Sequence, residues 1–204
     1  MDNTVTLWTR QVPQVWEELQ KNGVYTVKEA YIRKKNDTIS DYYLELYEWF
    51  TKAARKYLNI DPELKYPIWL SVDESVMLQP TADTIILKVE IPREHVLICN
   101  MEAWGYRVNY WYIPMDAADE KRHNEELKRY GIASEADLIQ TEKGNFYPLL
   151  KRKIINSWER LFTTKPDKIT DSVATAWLIK KEWVREVRRY EASNDVDRTA
   201  ENST

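Results

Sequence analysis

Thr84-Ile85-Ile86-Leu87-Lys88-Val89-Glu90-Ile91 reads as a β-strand. Its β-branched side chains suit a pleated surface better than a helix. Strands of the same kind are predicted at Pro67 to Val72, His95 to Cys99 and Tyr106 to Ile113. Pro92-Arg93-Glu94 is a short break, so the segments on either side of it read as neighbouring strands or as one bent strand.

Upstream, Val5 to Thr9 reads as a first strand. Pro13 opens a helix with Val15, Trp16 and Leu19 on one face, and Asn22-Gly23 ends it. Val24 to Tyr31 is predicted as a second strand and Arg33 to Asp37 as a loop. The next helix starts at a capping box, Thr38-x-x-Asp41, or at Ser40 as N-cap. Tyr43, Leu46, Tyr47, Phe50, Ala53, Ala54 and Tyr57 recur along it at helical spacing, and Asp61-Pro62 closes it. A stripe of this kind is more often core than cofactor box.

Downstream the pattern turns helical. Asp116 to Tyr130 reads as a charged, exposed helix, Ser134-x-x-Asp137 opens a short one, and Pro148 starts another carrying Leu150, Ile154, Trp158 and Leu161. A last helix is predicted from about Ser172 to Tyr190, burying Ala176, Ile179, Trp183, Val187 and Tyr190. Glu182 with Arg185, and Glu186 with Arg189, would pair on its outside. The expected fold is therefore α+β: a mixed or antiparallel central sheet with helices, and a helical C-terminal third. Residues 1–191 are expected to form a single domain and 192–204 a flexible tail.

Composition narrows the function classes. The 204 residues are 43% hydrophobic and 31% charged, which excludes disorder for most of the chain. One cysteine, Cys99, excludes a disulfide scaffold; in the apolar run after Val96 it reads as a small buried hydrophobe rather than a reactive thiol. The start, MDNTVTLWTR, lacks the form of a signal peptide, and no apolar run is long enough for a membrane helix, so the expected location is cytoplasmic. A net charge of −3 gives no global field for nucleic acid. Nine Trp and thirteen Tyr against three Phe suit a half-wet, half-apolar cleft as well as a core.

The four glycines are too scattered for a Walker or Rossmann phosphate loop. His95 and His123 have no Cys or His partner at ligand spacing, so no metal is expected; His123, among Lys121, Arg122 and Asn124, reads as a solvated surface residue. The basic residues Lys151-Arg152-Lys153 and Lys180, Lys181, Arg185, Arg188 and Arg189 read as solvated helical faces rather than a nucleic-acid surface. Carboxylates near strand ends, Asp73, Glu74, Glu90 and Glu102, could stabilise a developing positive charge in a cleft, or could simply be surface charge.

Leu7-Trp8-Thr9-Arg10-Gln11, Val15-Trp16 and Gly23-Val24-Tyr25, then Tyr66-Pro67-Ile68-Trp69, Val89-Glu90-Ile91-Pro92, Ser157-Trp158-Glu159-Arg160-Leu161-Phe162 and Ala174-Thr175-Ala176-Trp177, resemble in this order domain-of-unknown-function family 3841. That resemblance spans about Val5 to Tyr190 and implies no activity. The early strand, helix, Gly and extended segment, with the later Leu87 to Pro92, are also similar to small ADP-ribosyltransferase-like domains. The second resemblance implies NAD as a substrate rather than a prosthetic group. It places Thr9 or Arg10 and Tyr25 at the nicotinamide and Glu102 as the catalytic carboxylate. The chain departs from that pattern, with no His or Arg placed cleanly in the first strand and no Ser-Thr-Ser stretch. The competing expectation is a non-enzymatic module holding a small molecule or a protein segment in a Trp/Tyr-lined cleft.

Overall fold

The computed structural model describes residues 3–191; the predicted tail falls outside them apart from Glu191 and is not discussed. Eight strands and eight α-helices are joined by short 3-10 turns among the described residues. Six strands form one antiparallel sheet: β1 (Thr4–Gln11), β3 (Ile68–Ser71), β4 (Thr84–Pro92), β5 (Leu97–Asn100), β6 (Ser172–Ala176) and β8 (Val184–Tyr190). Their spatial order is β5-β6-β3-β1-β4-β8. β2 (Val24–Tyr25) and β7 (Ile179–Lys180) pair separately as a two-stranded ribbon. The architecture is α+β, as the sequence implies.

Side-chain alternation along the strands sorts the core into two layers. Leu7, Leu70, Leu87, Val89, Ala174 and Ala176 face one side, together with Val15 and Leu19 of α1 (Pro13–Asn22) and Tyr25 of β2. Trp69, Cys99 and Val173 face the other. There they meet Phe50 of α3 (Ser40–Ala54), Ala103 of α4 (Met101–Val108), and Leu150 and Ile154 of α8 (Pro148–Ser157).

The N-terminal readings hold where a single local device decides them. Pro13 is in the first turn of α1, and Gly23 ends it at φ 76°, a left-handed conformation that costs glycine little. Five readings are corrected. The second strand stops at Tyr25, and all of the expected loop but Asp37 falls within α2 (Glu29–Asn36). There a Glu29–Arg33 pair at i,i+4 and three basic residues in the last turn favour helix. Neither proposed cap forms: a 3-10 turn, Asp37–Ile39, runs straight into α3. α3 then ends at Ala54, leaving Tyr57 exposed. β4 and β5 are neither neighbours nor one bent strand; β6, β3 and β1 lie between them.

The largest correction is at the C-terminus, where the predicted helix is three strands. β6 is buried along its whole length because it is paired on both edges, by β5 and β3, and covered on both faces. Such a strand shows no alternation, and its Ala and Thr residues are indistinguishable by periodicity from a buried helix. The expected i,i+3 ion pairs are replaced by Arg185 with Glu90 and Arg188 with Glu74 and Glu186. No helix among the described residues is long and apolar enough to cross a membrane.

Candidate functional site

Tyr106 to Ile113, read above as a strand, is instead the end of α4 and an irregular segment. Asn100 caps α4 by accepting the Ala103 N–H at 2.9 Å, with Glu102 in the first turn and Arg107 in the last, both suited to the helix dipole. Beyond the helix, side chains rather than a neighbouring strand satisfy the backbone. Glu135 accepts the Tyr112 N–H at 2.6 Å, and Ser157 the Ile113 N–H at 2.9 Å. Trp158 donates to the Trp111 carbonyl at 2.9 Å, and Arg160 to that of Ile113 at 2.6 Å. Tyr110 is held at φ 60°, which is uncommon for a bulky residue and marks a conformation imposed by its surroundings.

That segment is one wall of a cleft of about 960 Å³. The other walls come from α2, the first half of α3, Tyr66, and α6 (Glu135–Gln140). Tyr42, Tyr43, Tyr66 and Tyr110 line it, with Glu29, Asp41, Glu45 and Glu48 against the single guanidinium of Arg33. Arg33 is engaged, at 2.7 Å from both Glu29 and Asp41. Tyr66 donates to Glu48 at 3.3 Å. Tyr42 donates to the Val108 carbonyl, tying α3 to α4. Burial, then the neighbouring Tyr110, pushes the Tyr42 hydroxyl up to about 12; burial and then Glu48 do the same to Tyr66. Both therefore stay neutral at physiological pH.

A buried polar network braces the wall from behind. His123 on α5 (Ala117–Arg129) is 2% exposed, against the expectation of a solvated residue. It lies flat against Tyr112 at 4.1 Å, and its Nε2 is 2.5 Å from Glu135. The charged sequence around it hides this, because an exposed helix still turns one face inward. Asp119 accepts from the Met115 N–H at 3.0 Å and the Tyr112 hydroxyl at 2.8 Å, with Arg160 at 3.2 Å and Arg122 at 3.3 Å. Burial alone would raise the Asp119 pKa; these donors outweigh it and hold the carboxyl at about 2, below its ordinary 3.8. A carboxylate with a depressed pKa stabilises the fold above its unfolded value and loses that contribution as pH falls through the folded one. Stability should thus drop by roughly 2 kcal/mol between about pH 4 and pH 2 through this group. Urea midpoints of wild type and Asp119→Asn at pH 5 and pH 2.5 check it: the variant should start weaker and lose less.

The four residues singled out from sequence are not brought together. Thr9 is buried and donates to the Trp69 carbonyl at 2.9 Å. Arg10 donates to the Gln79 carbonyl at 2.6 Å. Tyr25 is packed in the first core layer, where burial, then Tyr31 and Glu18, push its hydroxyl up. Glu102 is exposed at the start of α4, which packs into the opposite layer, and accepts from the Tyr106 hydroxyl at 3.3 Å. The sheet stands between Tyr25 and Glu102. Glu90 and Glu74 are held by Arg185 and Arg188 of β8. Cys99 is buried, and burial pushes its thiol up to about 12. Among the described residues no group of three His, Cys, Asp or Glu gathers that could hold a metal ion.

A family model described as "Domain of unknown function (DUF3841)" matches residues 6–185. No curated protein matches the chain. No solved structure matches it either.

Proposed function

From the premise that this chain belongs to the DUF3841 family, whose description assigns no activity, we propose from the site itself that it is a binding module for a small organic cation. The observation that carries this is the cleft, where four tyrosines and four carboxylates face one space and Arg33 pairs with only two of them, Glu29 and Asp41, leaving Glu45 and Glu48 without a cation among the described residues. Tyrosine faces attract a cation through the ring quadrupole, and carboxylates accept its hydrogen bonds. A guanidinium uses both at once, because it is planar, stacks on rings and pairs in a fork with carboxylates. The cleft's volume is within the range of small-molecule sites. Its acidic lining disfavours the two phosphates of NAD, and the residues assigned to NAD from sequence lie apart from it.

Agmatine, a guanidinium on a short aliphatic amine, is a suitable probe. Calorimetric titration should show saturable 1:1 binding. Glu45→Gln with Glu48→Gln should weaken it about tenfold or more, the loss of one to two charge-assisted hydrogen bonds. Heat indistinguishable from dilution would refute the reading. Conversion of NAD under the same conditions, followed by mass analysis, would favour the ADP-ribosyltransferase reading in its place.

A further inference from the structure

Arg107 is 6% exposed, yet its Nε and Nη1 have no hydrogen-bond partner among the described residues. It also takes part in none of the ion pairs among those residues. Its guanidinium stacks between Trp158 at 4.0 Å and Trp49 at 4.4 Å, with the Tyr110 ring at 5.4 Å. Aromatic stacking offsets part of the cost of burying a charge, but it satisfies none of the in-plane N–H donors. A buried cation without a counter-ion is expensive, and proteins rarely keep one without use. Burial, opposed by Tyr42, Tyr110 and Glu45, pulls its pKa down to about 10, so it remains charged at neutral pH.

The place of Arg107 supplies the missing partner. The residues that follow it, Val108, Asn109 and Tyr110, line the cleft, as do Tyr42 and Glu45. The Tyr42 and Tyr110 rings are in contact, their centroids 5.4 Å apart, and the guanidinium stands against Tyr110, so that this ring separates Arg107 from the open cleft. We propose that Arg107 receives a carboxylate, so that the ligand of the cleft is a zwitterion: its cationic arm lies among Glu45, Glu48 and the tyrosines, and its carboxylate reaches the unpaired donors as the Tyr110 ring, carried on a backbone held at φ 60°, turns aside. The inference rests on the cation-binding reading of the same cleft and adds the ligand's second charge.

Arginine and agmatine differ by the carboxylate alone, which makes them the test pair. An acidic cleft without an anion subsite must prefer agmatine, because the carboxylate of arginine meets Glu45. With Arg107 as the subsite the preference inverts, and wild type should bind arginine about tenfold more tightly, the value of a charge-assisted pair. Arg107→Met keeps the stem packed between the two tryptophans and removes the charge. It should bind agmatine within about threefold of wild type and now prefer it over arginine, with a melting temperature equal to or above wild type, as expected when an unpaired buried charge is replaced by apolar volume. Equal binding of the two compounds by wild type, or a preference for arginine that survives Arg107→Met, overturns the proposal while leaving the cation site standing. Binding of neither compound removes both readings. Should Arg107→Met not fold, Arg107→Lys serves instead: a point charge in place of the planar fork should shrink the preference, and an unchanged preference overturns the proposal.

Discussion

A chain ending at Phe162 is expected to show no cooperative melting transition. The cut removes β6, which is hydrogen-bonded to β3 along Ile68 to Ser71 and to β5 along Leu97 to Asn100. β5 would then have no partner in the sheet. The cut also removes β8, the neighbour of β4, and β7, the only partner of β2 among the described residues. Val173 and Trp177 leave one core layer and Ala174, Ala176, Ile179 and Trp183 the other, so both are opened at once. Each large buried side chain is worth several kcal/mol, against a total stability of about 5–15 kcal/mol for a typical domain. Loss of near-ultraviolet circular dichroism and a flat thermal trace are the expected readouts. A transition near the full-length midpoint would mean that the last strands are appended to a core that stands without them. The sequence reading also ties the C-terminal segment to the core, but as a docked helix; its structural place inside the sheet makes the consequence more severe.

What was legible in the sequence follows what is encoded locally. Pro13 and Gly23 bracket α1 by their own backbone preferences, and Leu46, Phe50, Ala53 and Ala54 mark the buried face of α3 by spacing alone. β4 is recognisable because five of its nine residues are fully or almost fully buried and β-branched or leucine, with Lys88 and Glu90 between them. Reading failed where neighbours decide. Ser172–Ala176 is a strand only because β3 and β5 flank it, and Tyr110 to Pro114 is irregular only because Glu135, Ser157, Trp158 and Arg160 supply its hydrogen bonds. The cleft belongs to the second class. Of its four tyrosines only Tyr43 is in the aromatic stripe of α3, where it reads as core, and nothing in the spacing says that Glu45 and Glu48 share a space with Tyr66 and Tyr110. The same holds for Arg107, whose partners Trp49 and Trp158 lie more than fifty residues away from it on either side. The excess of Trp and Tyr over Phe divides between the two readings: tyrosines line the cleft, whereas no Trp does and Trp8, Trp158, Trp177 and Trp183 are buried in the core.

Phe50→Ala is expected to cost about 3–5 kcal/mol, the range for removing a fully buried aromatic side chain. The Phe50 ring is completely buried and packs against Trp69 at 5.1 Å, Phe162 at 5.2 Å, Trp104 at 5.4 Å and Trp177 at 6.1 Å. Its neighbours have little room to close the void. Trp177 is pinned by its indole N–H to Thr51 at 2.8 Å, and Thr51 in turn donates to the Lys65 carbonyl at 2.7 Å. Trp69 belongs to a strand bonded on both edges. Tyr57→Ala is the control: that ring also stacks on Phe162 at 5.2 Å but is 44% exposed, and its loss should cost no more than about 1 kcal/mol. Urea titrations of the two variants, with the slope unchanged, measure the difference as a shift in midpoint. A cost for Phe50→Ala as small as that of the control would mean that the aromatic cluster repacks freely. The same helix that turns Phe50 inward presents Tyr42, Glu45 and Glu48 to the cleft. The cleft's geometry therefore depends on this packing, and agmatine affinity should fall in Phe50→Ala even under conditions where the variant remains folded.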